Sequence, residues 1–284
     1  PKSKIYISNT TENNLSESLG DITNGKKLDF IYHFAAWTKA GDFCLYHPAD
    51  QWIKNQKINT NILSYWKQYQ PQATMVAMGT SCAYDPNIPM SAENYCKGDV
   101  DPNLYSYAMT KRMVHTGMVA FNDQYKMNYQ TWIPPMLCGP DFDLEDSHFI
   151  FDLIRKIYNG KHHNEEVVLW GDGYQKREMM YVKDAVDLML KEDNKNNMIY
   201  NLSTEKEYTI RAYAKKICDI ILKLSTYDVS FISHTRHVYI NHNKVDQSVF
   251  DLIHSKHNDW IILAFSEYIN KHKNIKVILV LSDY

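Results

Sequence analysis

Short apolar runs alternate along this chain with longer stretches that are apolar on one helical face only, and this alternation constrains the fold more than any other feature. The run LDFIYHFAA, Leu28 to Ala36, reads as a buried strand ending in two small residues, Ala35 and Ala36. Pro48 to Tyr69 reads as a helix with Trp52, Ile53, Ile58, Ile62, Leu63 and Trp66 as its apolar stripe. Ala73 to Met78 is continuously apolar, as strands buried on both faces are. A helix bearing Tyr107 and Lys111 comes next, then a strand from Tyr129 to Ile133, stopped by Pro134 and Pro135. Phe149 to Tyr158 is patterned as an amphipathic helix, Val167 to Trp170 as a short strand, and Gly171 to Gly173 as a turn. Ile199 to Leu202 is a further strand, and Thr209 is placed to cap a helix from Ile210 to Leu224. Strands and helices in alternation predict an α/β protein with a parallel sheet.

Composition narrows the function classes. The formal net charge of −2 lacks the basic excess that gives nucleic-acid binders their affinity. No apolar run approaches the ~20 residues needed to span a bilayer, and no secretory segment opens the chain. The five cysteines, Cys44, Cys82, Cys96, Cys138 and Cys218, form no C-x-x-C pair and are odd in number, which predicts reduced thiols and a cytoplasmic setting. Five histidines between His234 and His257 include two His-x-x-His spacings, but without a matching carboxylate or cysteine pattern, so no metal site is expected.

The chemistry concentrates between Met78 and Lys111. Tyr107 and Lys111 are four residues apart, so on a helix they lie one above the other. An ammonium beside a phenol favours phenolate, and this lets a group that ordinarily titrates near pH ~10 exchange protons closer to neutrality. Thr80 brings a hydroxyl to the end of the apolar strand that closes at Met78. Ligands of open parallel sheets bind at such carboxyl ends. A phenol, a cation and a hydroxyl together can move a proton on and off a sugar oxygen while hydride moves at the same carbon.

In these residues the chain resembles the extended short-chain dehydrogenase/reductases of the NAD-dependent epimerase/dehydratase family, and within them the branch that epimerises and reduces GDP-4-keto-6-deoxy hexoses. The resemblance runs from about Asp29 to about Ala214. It is carried by Asp29 to Ala36, His47 to Asp50, Gly79-Thr-Ser-Cys82, Tyr107-x-x-x-Lys111, Asp146-Ser-His148, Trp170-Gly-x-Gly173 with Arg177-Glu178 and Val182-x-Asp184, and Tyr208-Thr-Ile-Arg211. It implies a Rossmann-type doubly wound parallel sheet in residues 1–140, and a smaller sugar-nucleotide-binding lobe in 141–284 from which 199–224 returns to the sheet. It implies that Tyr107 is the acid for reduction at C4, Lys111 its tuner and a ribose contact, and Thr80 the catalytic hydroxyl where the family usually has Ser. Cys82 and His148 would be the pair that removes and returns protons at C3 and C5; thiol and imidazole both titrate close enough to neutrality for that work. Asp21, Ala35, Ala36, Met78, Gly79, Ser81, Pro134 and Leu137 would line an NADP or NAD cofactor. Lys156, Trp170 and Arg177 would hold the nucleotide of the substrate, a GDP-sugar before others. The family also implies a homodimer through the helices bearing Tyr107, with Met109, Met113 and Met118 as apolar positions.

The pattern departs from the family in three places. Lys4 to Ser8 reads as an opening strand, yet no glycine follows before Gly20, so the phosphate-cradling glycine loop is missing and the cofactor half reads as truncated. Met136 stands where the family usually has a polar Asn. Past Ala214 the match fades, and Ile275 to Leu281 reads as a strand where the family has a helix. Three readings result: an epimerase/reductase of a 4-keto hexose nucleotide; a related 4-epimerase or 4,6-dehydratase, disfavoured by Ser81-Cys82 where dehydratases carry Asp-Glu; and a non-catalytic sugar-nucleotide-binding homologue.

Overall fold

The structure is a computed structural model that describes residues 4–9, 23, 25–39, 43–139, 148–163, 165–169, 171–191, 194–224 and 276–281. The chain forms two compact units. The first takes Pro1–Pro135, Lys183–Ser203 and Ile261–Tyr284, the second Met136–Val182 and Thr204–Trp260.

The first unit is built on a six-stranded parallel sheet. Its strands are β1 (Lys4–Asn9), β2 (Phe30–His33), β3 (Thr74–Met78), β4 (Tyr129–Ile133), β7 (Met198–Asn201) and β9 (Lys276–Leu281), in the spatial order β1-β9-β2-β3-β4-β7. All five pairings are parallel. From β2 the chain winds one way through β3, β4 and β7, while β9 and β1 lie on the other side. The last strand in sequence, β9, is thus inserted between the first two, and open α/β sheets bind ligands at the carboxyl ends of their strands. The strand expected at Lys4 to Ser8 is present as β1, at the edge of the sheet and separated from β2 by β9. Sequence patterning detects a strand but not its neighbours, because neighbours are set by pairing across hundreds of residues. The strand expected at Ile275 to Leu281 is present as β9.

After a short helix α1 (Phe43–Tyr46), helix α2 (Pro48–Tyr69) begins with Pro48 in its first turn, where the missing N–H costs nothing. It packs against α3 (Tyr105–Tyr125). Ile58, Ile62, Tyr65 and Trp66 of α2 meet Val114 and Met118 of α3 and Ile31, Met75 and Ala77 of the sheet in one buried cluster. Each large side chain so buried stabilises the fold by about 2 kcal/mol. The Trp66 indole N–H donates to the Ala73 carbonyl at 2.9 Å and its ring stacks on Phe121 at 5.6 Å between centroids. Gly117 lets the two helices close together, since a Cβ there would stand 2.6 Å from Leu63 Cδ1. The expected stripe of α2 needs correcting at its start, where Trp52 and Ile53 are 37% and 51% exposed. Met118 is fully buried in its own chain's core and Met109 packs against a second core cluster, leaving Met113 as the one exposed member of the three methionines.

The second unit has a three-stranded sheet, β5 (Met136–Cys138), β6 (Lys176–Tyr181) and β8 (Glu207–Thr209), in the order β5-β6-β8. Helices α4 (Phe149–His162) and α6 (Ile210–Leu224) pack through Leu153, Ile157, Ile217 and Ile221. Thr209 caps α6, its hydroxyl accepting from the Ala212 N–H at 3.1 Å. Two expectations change here. The boundary falls at Pro135 rather than 140, and what returns to the large sheet is α5 (Val182–Met189), β7 and β9, whereas α6 stays beside α4. Val167 to Leu169 carries no strand, being exposed apolar chain with no ladder partner.

Candidate active site

In the first unit β3 runs into a turn that carries Thr80 and Cys82, and helix α3, which carries Tyr107 and Lys111, packs against that turn and strand. That strand is buried from Thr74 to Ala77 and ends at the half-buried Met78, which pairs with Trp132 of β4. Gly79 follows, its N–H donating to the Trp132 carbonyl at 2.8 Å. Space requires glycine there: a Cβ would lie 2.7 Å from the Tyr95 hydroxyl and 2.9 Å from Ile133 Cγ1. Thr80 is buried and extended, and its hydroxyl accepts from the Cys82 N–H at 3.3 Å, capping a single 3₁₀ turn over Ser81–Ala83. Since that oxygen accepts, the hydroxyl proton is the one Thr80 has to offer a substrate oxygen. Cys82 is a half-buried free thiol in the same turn, and Ser81 is exposed beside it.

Tyr107 and Lys111 occupy successive turns of α3. The Lys111 ammonium stands 5.9 Å from the centroid of the Tyr107 ring. Tyr107 is half-buried and Lys111 is only 9% exposed. Burial pulls the Lys111 pKa down from 10.5 to about 8, because an ammonium loses hydration in the interior. At neutral pH it is still mostly a cation, held close to its titration point. The spacing read from the sequence is therefore present in space, and the lysine is the buried member of the pair.

Patterning missed four residues that build this site. Tyr95, fully buried, accepts the Thr80 N–H at 3.4 Å and sets its ring edge-on to His115 at 5.6 Å. Burial pushes its phenol strongly up, so it stays protonated. The buried guanidinium of Arg112 donates to the carbonyls of Ala83, Gly98 and Lys97, each at 2.8 Å, and ties the polar interval after Thr80 onto α3. His33, at the end of β2, faces Asn59 of α2, Nε2 to Oδ1 at 3.0 Å, and the Asn59 amide donates to the Thr110 carbonyl of α3 at 3.1 Å. Burial holds His33 and His115 neutral, each with its pKa lowered to about 4. A buried polar side chain scores as a surface residue in any apolar pattern, so only the sheer number of Asn and Gln in α2 (Gln51, Asn55, Asn59) hinted at an interior polar layer.

The remaining expected residues fall as follows. Ala35 is buried and Ala36 half-buried in the segment leaving β2; Met78 and Pro134 are half-buried. Leu137 lies in β5, paired with Met180 in the second unit. His148 is exposed at the start of α4, where its carbonyl accepts from Phe151 and Asp152 N–H. Lys156 pairs with Asp152 at 2.9 Å, and Arg177 is exposed on β6, donating to the Lys176 carbonyl. Cys82 and His148 thus belong to different units. Asp21, Trp170 and the histidines from His234 to His257 lie outside the described residues. Among the described residues, no helix is long and apolar enough to cross a membrane.

The chemistry of Lys111, a buried ammonium, fits the ribose hydroxyls of a dinucleotide, while Ala35 is packed into the core of the first unit. The family model for the NAD dependent epimerase/dehydratase family matches residues 5–203. The chain belongs to that family of NAD(P)-dependent enzymes. Among similar curated proteins are the GDP-L-fucose synthase of Escherichia coli (strain K12), 28% identical over 225 residues covering 72% of this chain and 69% of that protein, and the GDP-L-colitose synthase of Yersinia pseudotuberculosis, 28% identical over 69% of this chain and 66% of that one. Against the probable GDP-L-fucose synthase 1 of rice (Oryza sativa subsp. japonica) the match spans 55% of the relative's length. Solved structures of like fold include a GDP-L-fucose synthetase from Naegleria fowleri bound to NADP, with TM-score 0.63, 21% identity and coverage of 76% of this chain and 69% of that one. Another is a GDP-mannoheptose C4 reductase from Campylobacter jejuni with NADP bound, with TM-score 0.64, 18% identity and coverage of 94% and 98%. At that identity they establish the fold, a Rossmann-like α/β fold.

Proposed function

We propose that this chain is an NAD(P)-dependent epimerase/reductase of a nucleotide-linked 4-keto hexose, with a GDP-sugar as substrate. The observation that carries the reading is the Tyr107–Lys111 pair, one helical turn apart with the lysine buried, on the helix whose Arg112 holds the chain just beyond Thr80. Family membership supports the reaction class. The GDP-sugars in the names of the most similar relatives support the substrate, and NADP in two structures of like fold supports NADP over NAD.

In this reading bound NADPH supplies hydride to C4 of the sugar. Tyr107 gives its phenolic proton to the C4 oxygen as that oxygen gains negative charge. Lys111 stabilises the phenolate left behind, and the Thr80 hydroxyl donates to the same oxygen. Carbons beside the C4 ketone are acidic, so a base on one face and an acid on the other invert C3 and C5; Cys82 and His148 are assigned to that exchange. Lys156 and Arg177 are assigned to the nucleotide's phosphates, to which a guanidinium can bind through two parallel hydrogen bonds. Met113, exposed on α3, supports pairing of two copies through this helix.

The test is a panel of GDP-, UDP- and dTDP-linked 4-keto-6-deoxy sugars offered with NADPH or NADH. Oxidation of NADPH with a GDP-linked substrate is expected. Turnover of a UDP- or dTDP-sugar alone would overturn the substrate assignment, and no reduced-coenzyme binding at millimolar concentration would overturn the enzyme reading.

A further inference from the structure

A single amide joins three elements beside the Tyr107–Lys111 pair. Asn59 reaches from α2, accepting from His33 of β2 at 3.0 Å and donating to the Thr110 carbonyl of α3 at 3.1 Å. Its orientation follows from the partners: a carbonyl can only accept, so the amide nitrogen faces Thr110 and the oxygen faces His33. His33 Nε2 must then carry the proton, which leaves Nδ1 a buried lone pair with no hydrogen-bond partner among the described residues. Thr110 also gives its hydroxyl to the Tyr107 carbonyl at 2.7 Å and immediately precedes Lys111. The bridge thus ends on the residue between the phenol and the ammonium, and starts on the strand that leads into Ala35 and Ala36.

We propose that Asn59 and His33 are positioning residues that fix the first turns of α3 against β2, and so set where Tyr107 and Lys111 stand relative to the coenzyme. This rests on the functional reading above for what the pair does, but not for the bridge itself. All three members are nearly inaccessible to water, with His33 4%, Asn59 8% and Thr110 1% exposed, so a broken bridge strands buried polar groups unless the helix shifts to rehydrate them. Such a shift carries Lys111 with it. Among the described residues, Lys111 of α3 is the charged group that acts on His33, and α2 meets the bridge with the uncharged Asn59. A displacement of about 1 Å at reacting groups can cost ~100-fold in rate.

Three full-length variants test the bridge: Asn59→Leu, which removes both bonds at similar volume; His33→Leu, which removes the anchor alone; and His33→Gln, whose amide can restore the donor to Asn59. The primary readout is the Lys111 side-chain titration by NMR on protein with isotope-labelled lysine, assigned with Lys111→Arg. Lys111 is expected to titrate near 8 in the parent and in His33→Gln. In Asn59→Leu and His33→Leu it should rise by at least one pH unit as the ammonium regains water. With a competent 4-keto substrate, kcat should fall at least tenfold in the two leucine variants with KM within about threefold, and return with His33→Gln. An unchanged Lys111 titration in a folded Asn59→Leu or His33→Leu protein overturns the proposal, as does lost thermal stability alone with titration and kcat intact. If the parent reduces no keto sugar yet the titration shifts, the bridge stands and the functional reading fails.

Discussion

Acid should weaken the first unit over a defined window, by an amount set by two buried histidines. His33 and His115 have their pKa lowered from 6.5 to about 4 by burial. Between those values the unfolded chain binds protons that the folded chain refuses. Stability therefore rises with pH across that window and is lost as pH falls through it. With one pKa unit equal to about 1.36 kcal/mol, taking the protein from pH ~7 to pH ~5 costs about 2 kcal/mol for each histidine, about 4 kcal/mol for the pair. Against a typical stability of 5–15 kcal/mol this is a large share. Urea unfolding at the two pH values, followed by the fluorescence of buried Trp66, measures it. The control is a double variant that keeps the hydrogen bonds without the titration. His33→Gln puts an amide nitrogen where Nε2 meets Asn59, and His115→Asn puts one where Nδ1 meets the Thr131 hydroxyl at 2.8 Å. The variant should lose about 4 kcal/mol less than the parent on acidification. Equal losses in the two proteins would refute the burial argument for both histidines.

Two further outcomes follow from the site. Gly79→Ala drives a Cβ against the Tyr95 hydroxyl and Ile133, and should cost about 1–3 kcal/mol of stability by overpacking, with a larger loss of turnover as Thr80 moves; a melting curve and kcat check it. Cys82→Ser should slow the exchange of solvent deuterium into C3 and C5 of the keto sugar more than it slows ketone reduction, and unchanged exchange would remove Cys82 from the mechanism.

How much of this was legible in the sequence depends on what kind of interaction decides each element. Helix α2, strand β4 and helix α6 were read to the residue, because hydrophobic period, Pro48 at one start and Thr209 at another act locally. The Tyr107–Lys111 pair was legible for the same reason, being an i, i+4 relation. The neighbours of β1 and β9 were not, since sheet order is decided by pairing between distant segments. Apolar character alone also misplaced Val167 to Leu169 as a strand and Trp52 and Ile53 in the core. The largest blind spot was the buried polar layer of His33, Asn59, Tyr95 and Arg112. Asn59, Tyr95 and Arg112 read as surface in sequence and His33 as one more member of a buried strand; only the partner atoms show what each bonds inside.

Rapid mixing of the protein, NADPH and a GDP-linked 4-keto-6-deoxy hexose, with the parent and Tyr107→Phe compared, asks the decisive question. The phenylalanine variant should bind NADPH as the parent does but oxidise it about 10²–10⁴-fold more slowly, the usual worth of a lost proton donor. Parent and variant consuming NADPH at the same rate would show that the phenol beside Lys111 is not the proton source.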